Sequence, residues 1–374
     1  MTLANSEIVY SHADLKLIPT SNPDLIARTW TNNKQEWGKT LDIGIYHERE
    51  KVLASQEFTA KGKLQVWILV PKTFTGESSS DLDQILSAVE SFERPGLIAT
   101  KEGGIKEGVS VSIASVFTPA HYRGHGYASL MMKLLWKEIE KKDNVVFTFL
   151  YSDVGPTFYG RLGWAPMRSD QMVIPTTHAV QKGAATTVTL ESVSDASLAK
   201  ITQLDAQLLR ETLKTRVESS ADSTTALVAV TPEPKCIFWL HARSRFVAQH
   251  IHTLDEAGSR YQITDLGAKD TASDSFVLWF HDLLEDQLYI IRWRVDPKAK
   301  DTTAVSAALV RAAQDEARKA KLAKVVIWNP DQSLSDVLGL PIEHRESAIP
   351  SLGLTPSSPG VPVEWVMNEK YSWC

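Results

Sequence analysis

The sequence predicts a mixed α/β protein in two parts. Three observations carry this: strand-length apolar runs alternate with amphipathic helical stretches, one strand runs into a glycine turn that opens a helix, and a polar segment near the middle divides the chain. With 374 residues, 43% of them hydrophobic and 23% charged, length and composition suit two ordinary globular units.

Residues 14–19 predict a first strand. Asn22-Pro23-Asp24 starts a helix, because asparagine caps and proline suits the first helical turn. Residues 64–70 form a second strand closed by Pro71, 75–83 a polar loop, and 84–92 a strand ending at Pro95. The Gly103-Gly104 loop is expected near the substrate channel. Residues 109–116 alternate as the next strand, and Pro119 interrupts its ladder for want of an N–H. Ala128, Met131, Met132, Leu135 and Ile139 then recur at helical spacing, and 144–150 is an apolar strand.

Residues 176–187 are polar and rich in small side chains after Pro175, and mark a boundary between units over 1–175 and 185–374. Beyond it, 192–217 reads as a helix and 237–240, 275–280 and 288–295 as strands. Val305, Ala308, Leu309 and Ala312 mark a helix and 325–328 a strand. Residues 347–362 read as a loop and 363–367 as a last strand.

The most informative segment is Tyr122-Arg123-Gly124-His125-Gly126-Tyr127-Ala128-Ser129. Its glycines let backbone N–H groups converge, and the helix that follows adds positive dipole, so the segment suits a pyrophosphate. A Rossmann fingerprint would need a third glycine and a Walker loop a Gly-Lys-Ser/Thr ending; neither is present. A plain glycine turn is the alternative.

Arg-x-x-Gly-x-Ala after a strand and proline resembles the pyrophosphate loop of the GNAT family of acetyl-CoA-dependent N-acyltransferases. A second segment, 151–164, follows the next strand. Its Tyr159, Gly163 and Trp164 match the end of the family's Asn-x-x-Ala-x-x-x-Tyr-x-x-x-Gly-Phe pattern; Ser152 stands at the asparagine position and Gly155 at the alanine. The wording of 113–118, 122–129, 150–155 and 368–374 is similar to the fungal lysine N6-acetyltransferases, which acetylate free lysine in its degradation.

The resemblance implies a GNAT fold over the first half and an acetyl-CoA co-substrate. The backbones of Val116, Phe117 and Thr118 would contact the pantetheine arm, one N–H stabilising the developing oxyanion. Arg123, Gly124, His125, Gly126, Tyr127, Ala128 and Ser129 would hold the pyrophosphate, with Ser152 beside the cofactor. Tyr159 would protonate the leaving thiolate, a packing role being its alternative. For the base, the choices are Asp153, whose alternative is a turn cap, the loop residues His121 and His125, and, by analogy with two-domain relatives, the carboxylate of Cys374.

The second half echoes the strand–helix–strand unit in degenerate form. Between Val295 and Val305 lie Asp296, Pro297 and Asp301 but no glycine, so this half is expected to bind no phosphate and to shape the acceptor pocket or an interface. The tryptophans at 239, 279, 293, 328, 365 and 373 are core residues or an aromatic pocket for a cation.

A net charge of −5 argues against a nucleic-acid partner and mildly favours a cationic substrate. Two cysteines make neither a disulfide framework nor a four-ligand zinc site, and no metal is expected. No signal-peptide pattern or membrane-length apolar run is visible, so the cytoplasm is the expected compartment. The expected function is acetyl transfer to a small amine, free L-lysine first. Protein, polyamine or xenobiotic amines, or a non-catalytic acetyl-CoA-binding regulator, are the alternatives, and the oligomeric state is open.

Overall fold

The computed structural model describes residues 9–180, 187–222, 224–251, 261–354 and 361–374. β1 (Leu15–Thr20) leads through α1 (Pro23–Trp37) and α2 (Ile43–Ala54) to β2 (Leu64–Pro71), β3 (Ser87–Thr100) and β4 (Gly104–Phe117). As its sequence requires, α1 is capped by Asn22, whose Oδ1 accepts the Asp24 N–H at 2.9 Å. β1 to β4 are antiparallel neighbours, and α3 (Tyr127–Glu140) then crosses over to β5 (Val145–Ser152), which lies parallel to β4. α3 buries Met131, Met132, Leu135 and Ile139 on the sheet, the stripe its spacing predicts. α4 (Thr157–Gly160), β6 (Ala165–Pro166) and β7 (Asp170–Pro175) follow.

The second half runs β8 (Leu190–Val193), α5 (Asp195–Ser219), β9 (Ala226–Val230), α6 (Pro234–His250), β10 (Gly267–Asp270), β11 (Phe276–Asp282) and β12 (Gln287–Arg294). α7 (Thr302–Lys319), β13 (Lys324–Trp328), α8 (Gln332–Leu338), β14 (Glu343–His344), β15 (Ile349–Leu354) and β16 (Val363–Trp365) complete it. It repeats the logic of the first: β12 is antiparallel to β11 and, after the α7 crossover, parallel to β13.

The two sheets exchange strands. The first reads β1-β2-β3-β4-β5-β15-β6, and the second β14-β7-β13-β12-β11-β10-β8. β15, from late in the chain, therefore lies antiparallel against β5, while β7, from the first half, lies antiparallel against β13. The chain division expected at 175/185 is thus crossed by one strand in each direction; residues 181–186 of that segment lie outside the described residues. The approach is close: a Cβ on Gly353 of β15 would meet the Trp136 indole at 2.6 Å. β9 adds to β3 at Gly96–Ala99, beyond the reach of β2, and β16 pairs with β9.

Four local expectations are corrected. Residues 237–240 are helical, within α6, because Pro234 opens a helix there and Ile237, Leu240 and Val247 share its buried face; four apolar residues cannot distinguish the two periods. β3 continues through Pro95, whose carbonyl still accepts the Thr231 N–H at 2.9 Å. Within 347–362, residues 349–354 form β15 because β5 offers them an edge, while 355–360 lie outside the described residues. The Gly103-Gly104 turn is the tip of the β3–β4 hairpin, at the far end of a 14-residue strand from Phe117, a separation of about 45 Å at the usual rise.

The exchange predicts that a chain ending at residue 175 will not fold cooperatively. It would leave β5 with an open edge and β7 without a partner. Thermal unfolding followed by circular dichroism checks this: a broad, non-cooperative trace is expected, and a sharp transition contradicts it.

Candidate active site

The ladder between β4 and β5 ends at Ile113 opposite Leu150, although β4 runs on to Phe117 and β5 to Ser152. The strands part there into a wedge. On the other side of β4 the register to β3 slips, Ala88 facing Phe117 but Glu90 facing Ala114. Ser115 and Val116 therefore stand outside both ladders, and Ser115 takes the left-handed conformation (φ 54°), rare for a residue with a side chain. This bulge releases backbone donors and acceptors into the wedge. Phe117 is less free, since its carbonyl accepts from Ser87 Oγ, which also bonds Thr118 Oγ1.

At the mouth of the wedge, Gly124 (φ 85°) and Gly126 (φ 76°) turn the chain into α3. Gly126 is the N-cap residue and no side chain among the described residues caps the first turn, so the N–H groups there keep capacity for an anion. A Cβ on Gly126 would meet the His12 ring at 3.2 Å, and His12 Nε2 bonds the His125 carbonyl. Arg123 is exposed, donating to the Thr118 carbonyl at 3.0 Å and lying 3.6 Å from Glu36. The Tyr127 side chain turns inward, its hydroxyl bonding the backbone of Tyr10, so only its backbone can serve a ligand. Ala128 and Ser129 continue the first turn.

The counterpart helix start in the second half is capped by a side chain. Asp301 caps α7 by accepting the Ala304 N–H at 2.9 Å. The adjoining cleft of about 540 Å³ is lined by Asp331 and Asp336 and also by Arg292 and Arg294. A carboxylate already occupies the position a phosphate would take.

Tyr159, on α4, is 7% exposed, yet its hydroxyl makes no hydrogen bond among the described residues. Burial, with Asp153 nearby, holds its pKa above the usual phenol range, so it keeps its proton. Ser152 is committed to its own turn, donating to the Gly155 carbonyl at 2.7 Å and accepting the Val154 N–H. Asp153 accepts the Ala348 N–H at 2.8 Å, anchoring the approach to β15. His121 is exposed and His125 half-buried, both on the loop.

Glu90, which no sequence motif marks, lies beside the bulge. Its carboxylate accepts from Ser115 Oγ at 2.7 Å, and burial, reinforced by Glu50, pushes its pKa up to about 7. It carries a proton-accepting group poised near neutral pH. Near it the segment 370–374 is docked on the sheet. Arg94 bonds the Tyr371 and Trp373 carbonyls, Tyr151 Oη bonds Ser372 Oγ at 2.6 Å, and Cys374 Sγ lies 3.4 Å from Ser112 Oγ. The Lys370 ammonium sits 4.0 Å from the Tyr289 ring centre and 4.2 Å from those of Trp328 and Trp373. Two of the six tryptophans thus face a cation, but it is the chain's own; Trp239, Trp279 and Trp365 are core.

A mixed sheet whose parallel pair parts at a bulge, with a glycine turn opening the crossover helix, defines a GNAT acetyltransferase. Family models agree: an acetyltransferase (GNAT) domain matches residues 83–167, and the LYC1 GNAT-like C-terminal domain matches 174–374. The chain belongs to the family that carries this C-terminal domain, and it is an N-acetyltransferase of the acetyl-CoA-dependent kind, a class that acts on small-molecule or protein amines. It is similar to a protein of Yarrowia lipolytica named lysine acetyltransferase, at 24% identity over 96% of this chain and 100% of that one. A probable N-acyltransferase from Enterococcus faecalis (TM-score 0.56, 14% identity, 91% of this chain and 72% of that one) shares the fold. So does a GCN5-related N-acetyltransferase from Kribbella flavida (TM-score 0.52, 16% identity, 91% and 71%).

Two substitutions test the site. Gly126→Asp brings a side chain against His12 and a negative charge to the helix start, and is expected to abolish acetyl-CoA binding in calorimetry; undiminished affinity would place the cofactor elsewhere. Tyr159→Phe removes only the proton donor, so kcat should fall on the order of 10²-fold with melting temperature and cofactor affinity unchanged. Wild-type turnover would make Tyr159 a packing residue.

Proposed function

We propose that this enzyme transfers the acetyl group of acetyl-CoA to the Nε of free L-lysine, as a step of lysine degradation. The observation that carries the acetyl-transfer chemistry is the β4–β5 wedge, with unpaired backbone at Ser115 and Val116 beside Glu90 and an unbonded Tyr159 hydroxyl on the turn after β5. Support for lysine comes from the name of the Yarrowia relative, the motif wording and the acidic net charge. The glycine cradle and uncapped start of α3 fit a pyrophosphate, so residues 123–129 are assigned to it. Acetyl-CoA supplies an activated thioester, and the chain supplies the proton handling. Glu90 takes a proton from the substrate ammonium, whose ordinary pKa of about 10.4 leaves it charged at neutral pH. The Val116 N–H donates to the carbonyl oxygen as charge develops on it. Once the carbon–nitrogen bond has formed, the carbon–sulfur bond breaks and Tyr159 donates its proton to the departing sulfur. The second proton, shed by the new amide nitrogen, passes through water back to the Tyr159 oxygen. Residues 185–374 complete the acceptor side, chiefly through α6 and the docked tail.

Assigning the base to Glu90 has a pH signature. A carboxyl titrating near 7 is ionised above that pH, so kcat/KM for lysine should rise through pH 7 and level off, and Glu90→Gln should lose that limb with 10²- to 10⁴-fold of the rate. Because the folded pKa is raised, ionising Glu90 costs stability as pH climbs past the ordinary carboxylate range. The glutamine variant should therefore melt no lower than wild type at pH 8. Free-thiol release across an amine panel tests the substrate. Lysine should exceed a histone peptide and a polyamine, equal kcat/KM for all would remove the lysine assignment, and an unchanged pH limb in Glu90→Gln would remove Glu90.

A further inference from the structure

Arginines surround the docked tail, and four of them are engaged. Arg49 bonds Glu50 and the Trp37 carbonyl, Arg94 the tail carbonyls, Arg292 Asp205 and Glu369, and Arg345 the carbonyls of Ser347 and Ala348. Arg243, on α6, is different. Its guanidinium lies 5.4 Å from the Trp373 ring centre and makes no hydrogen bond or ion pair among the described residues. Burial pushes its pKa down to about 10, with Arg49 adding repulsion, while the carboxylates of Asp282 and Glu50 are near enough to act through their charge but not to pair. Arg243 is half-buried, so a ligand can reach its guanidinium, and a cation partly withdrawn from water without an anion is suited to one that a ligand brings.

Glu90 lies near the same junction, where α2 packs on α6. Tyr46, on α2, hydrogen-bonds Asn33 and feels the charges of Glu50, Glu90 and Arg243 together, so the base and the guanidinium are both near it. Glu90 is thus set to accept a proton from an amine and Arg243 to receive an anion.

We propose that Arg243 holds the carboxylate of an amino-acid acceptor whose side-chain amine reaches Glu90, so that the substrate is selected by both of its ends. This rests on the acetyl-transfer reading above and adds the residue, from the second half of the chain, that sets the substrate class. A guanidinium suits this role because its donors match both carboxylate oxygens. Glu50 and Asp282 flank Arg243 and suit the α-ammonium. An amine that lacks the carboxylate leaves Arg243 without an anion.

The test compares L-lysine with 1,5-diaminopentane, which is lysine without its carboxylate, on the full-length enzyme. Wild type should favour lysine in kcat/KM by on the order of 10²-fold. Arg243→Met should lower the lysine value on the order of 10²-fold while changing the diamine value by less than about 3-fold, with acetyl-CoA affinity preserved in calorimetry. Arg243→Lys, which keeps the charge but not the fork, should fall between. Parallel loss for both substrates, or an unchanged lysine value, overturns the assignment. Should the methionine variant fail to fold, the wild-type ratio decides alone: equal values for the two substrates overturn the Arg243 role and leave amine acetylation standing, whereas acetylation of neither removes both readings.

Discussion

The reciprocal exchange of β7 and β15 is the constraint on which the rest of the molecule depends. A central strand needs hydrogen-bonded neighbours on both edges, and β5 and β13 each find the second one in the other half of the chain. Neither sheet is complete without the other, so their relative placement is fixed by backbone hydrogen bonds as well as by side-chain packing. From β15 the chain continues to β16, which adds to the first sheet through β9, and the tail then lies across the face of β3, β4 and β5. α6 is carried to α2 by the same arrangement. Arg243 and Glu90, 153 positions apart by their numbers, both come near Tyr46 of α2.

Charge secures that placement. Arg292 donates to both carboxylate oxygens of Asp205 and to Glu369, which also accepts the Trp293 N–H at 2.8 Å, pinning the tail to the second sheet. Burial still outweighs Arg292 at Glu369 and holds its pKa up to about 7, while Arg292 stays firmly charged between two carboxylates. Removing one member of such a buried network costs roughly 3–5 kcal/mol because a charge is left without its partner. Lys370, next to Glu369, shows the converse. With aromatic faces in place of a carboxylate, burial takes its pKa down to about 7.

Much of this architecture was legible in the residues. The cap at Asn22, the strand from Leu64 to Pro71, the glycine turn and the periodicity of α3 are local signals, and local geometry obeys them. The GNAT resemblance followed from the same short segments. α2 is not legible because its apolar residues show almost no one-sided pattern; Tyr46 and Arg49 are buried with hydrogen bonds to Asn33 and Trp37 of α1. Nor is β15, because a Ser/Pro/Gly-rich stretch becomes a strand only where another strand offers an edge. Glu90 and Arg243 carry no motif. Each is an ordinary charged residue in its own stretch of sequence, and only the tertiary fold brings both near Tyr46.

A crystal structure of the enzyme with coenzyme A and L-lysine tests the central claim most directly, because the claim concerns where the two halves place one substrate. The account predicts the pyrophosphate on the 124–128 turn, the lysine amine at Glu90 and the lysine carboxylate on Arg243. Lysine bound away from Glu90 and Arg243, or held only by residues of the first half, would contradict it.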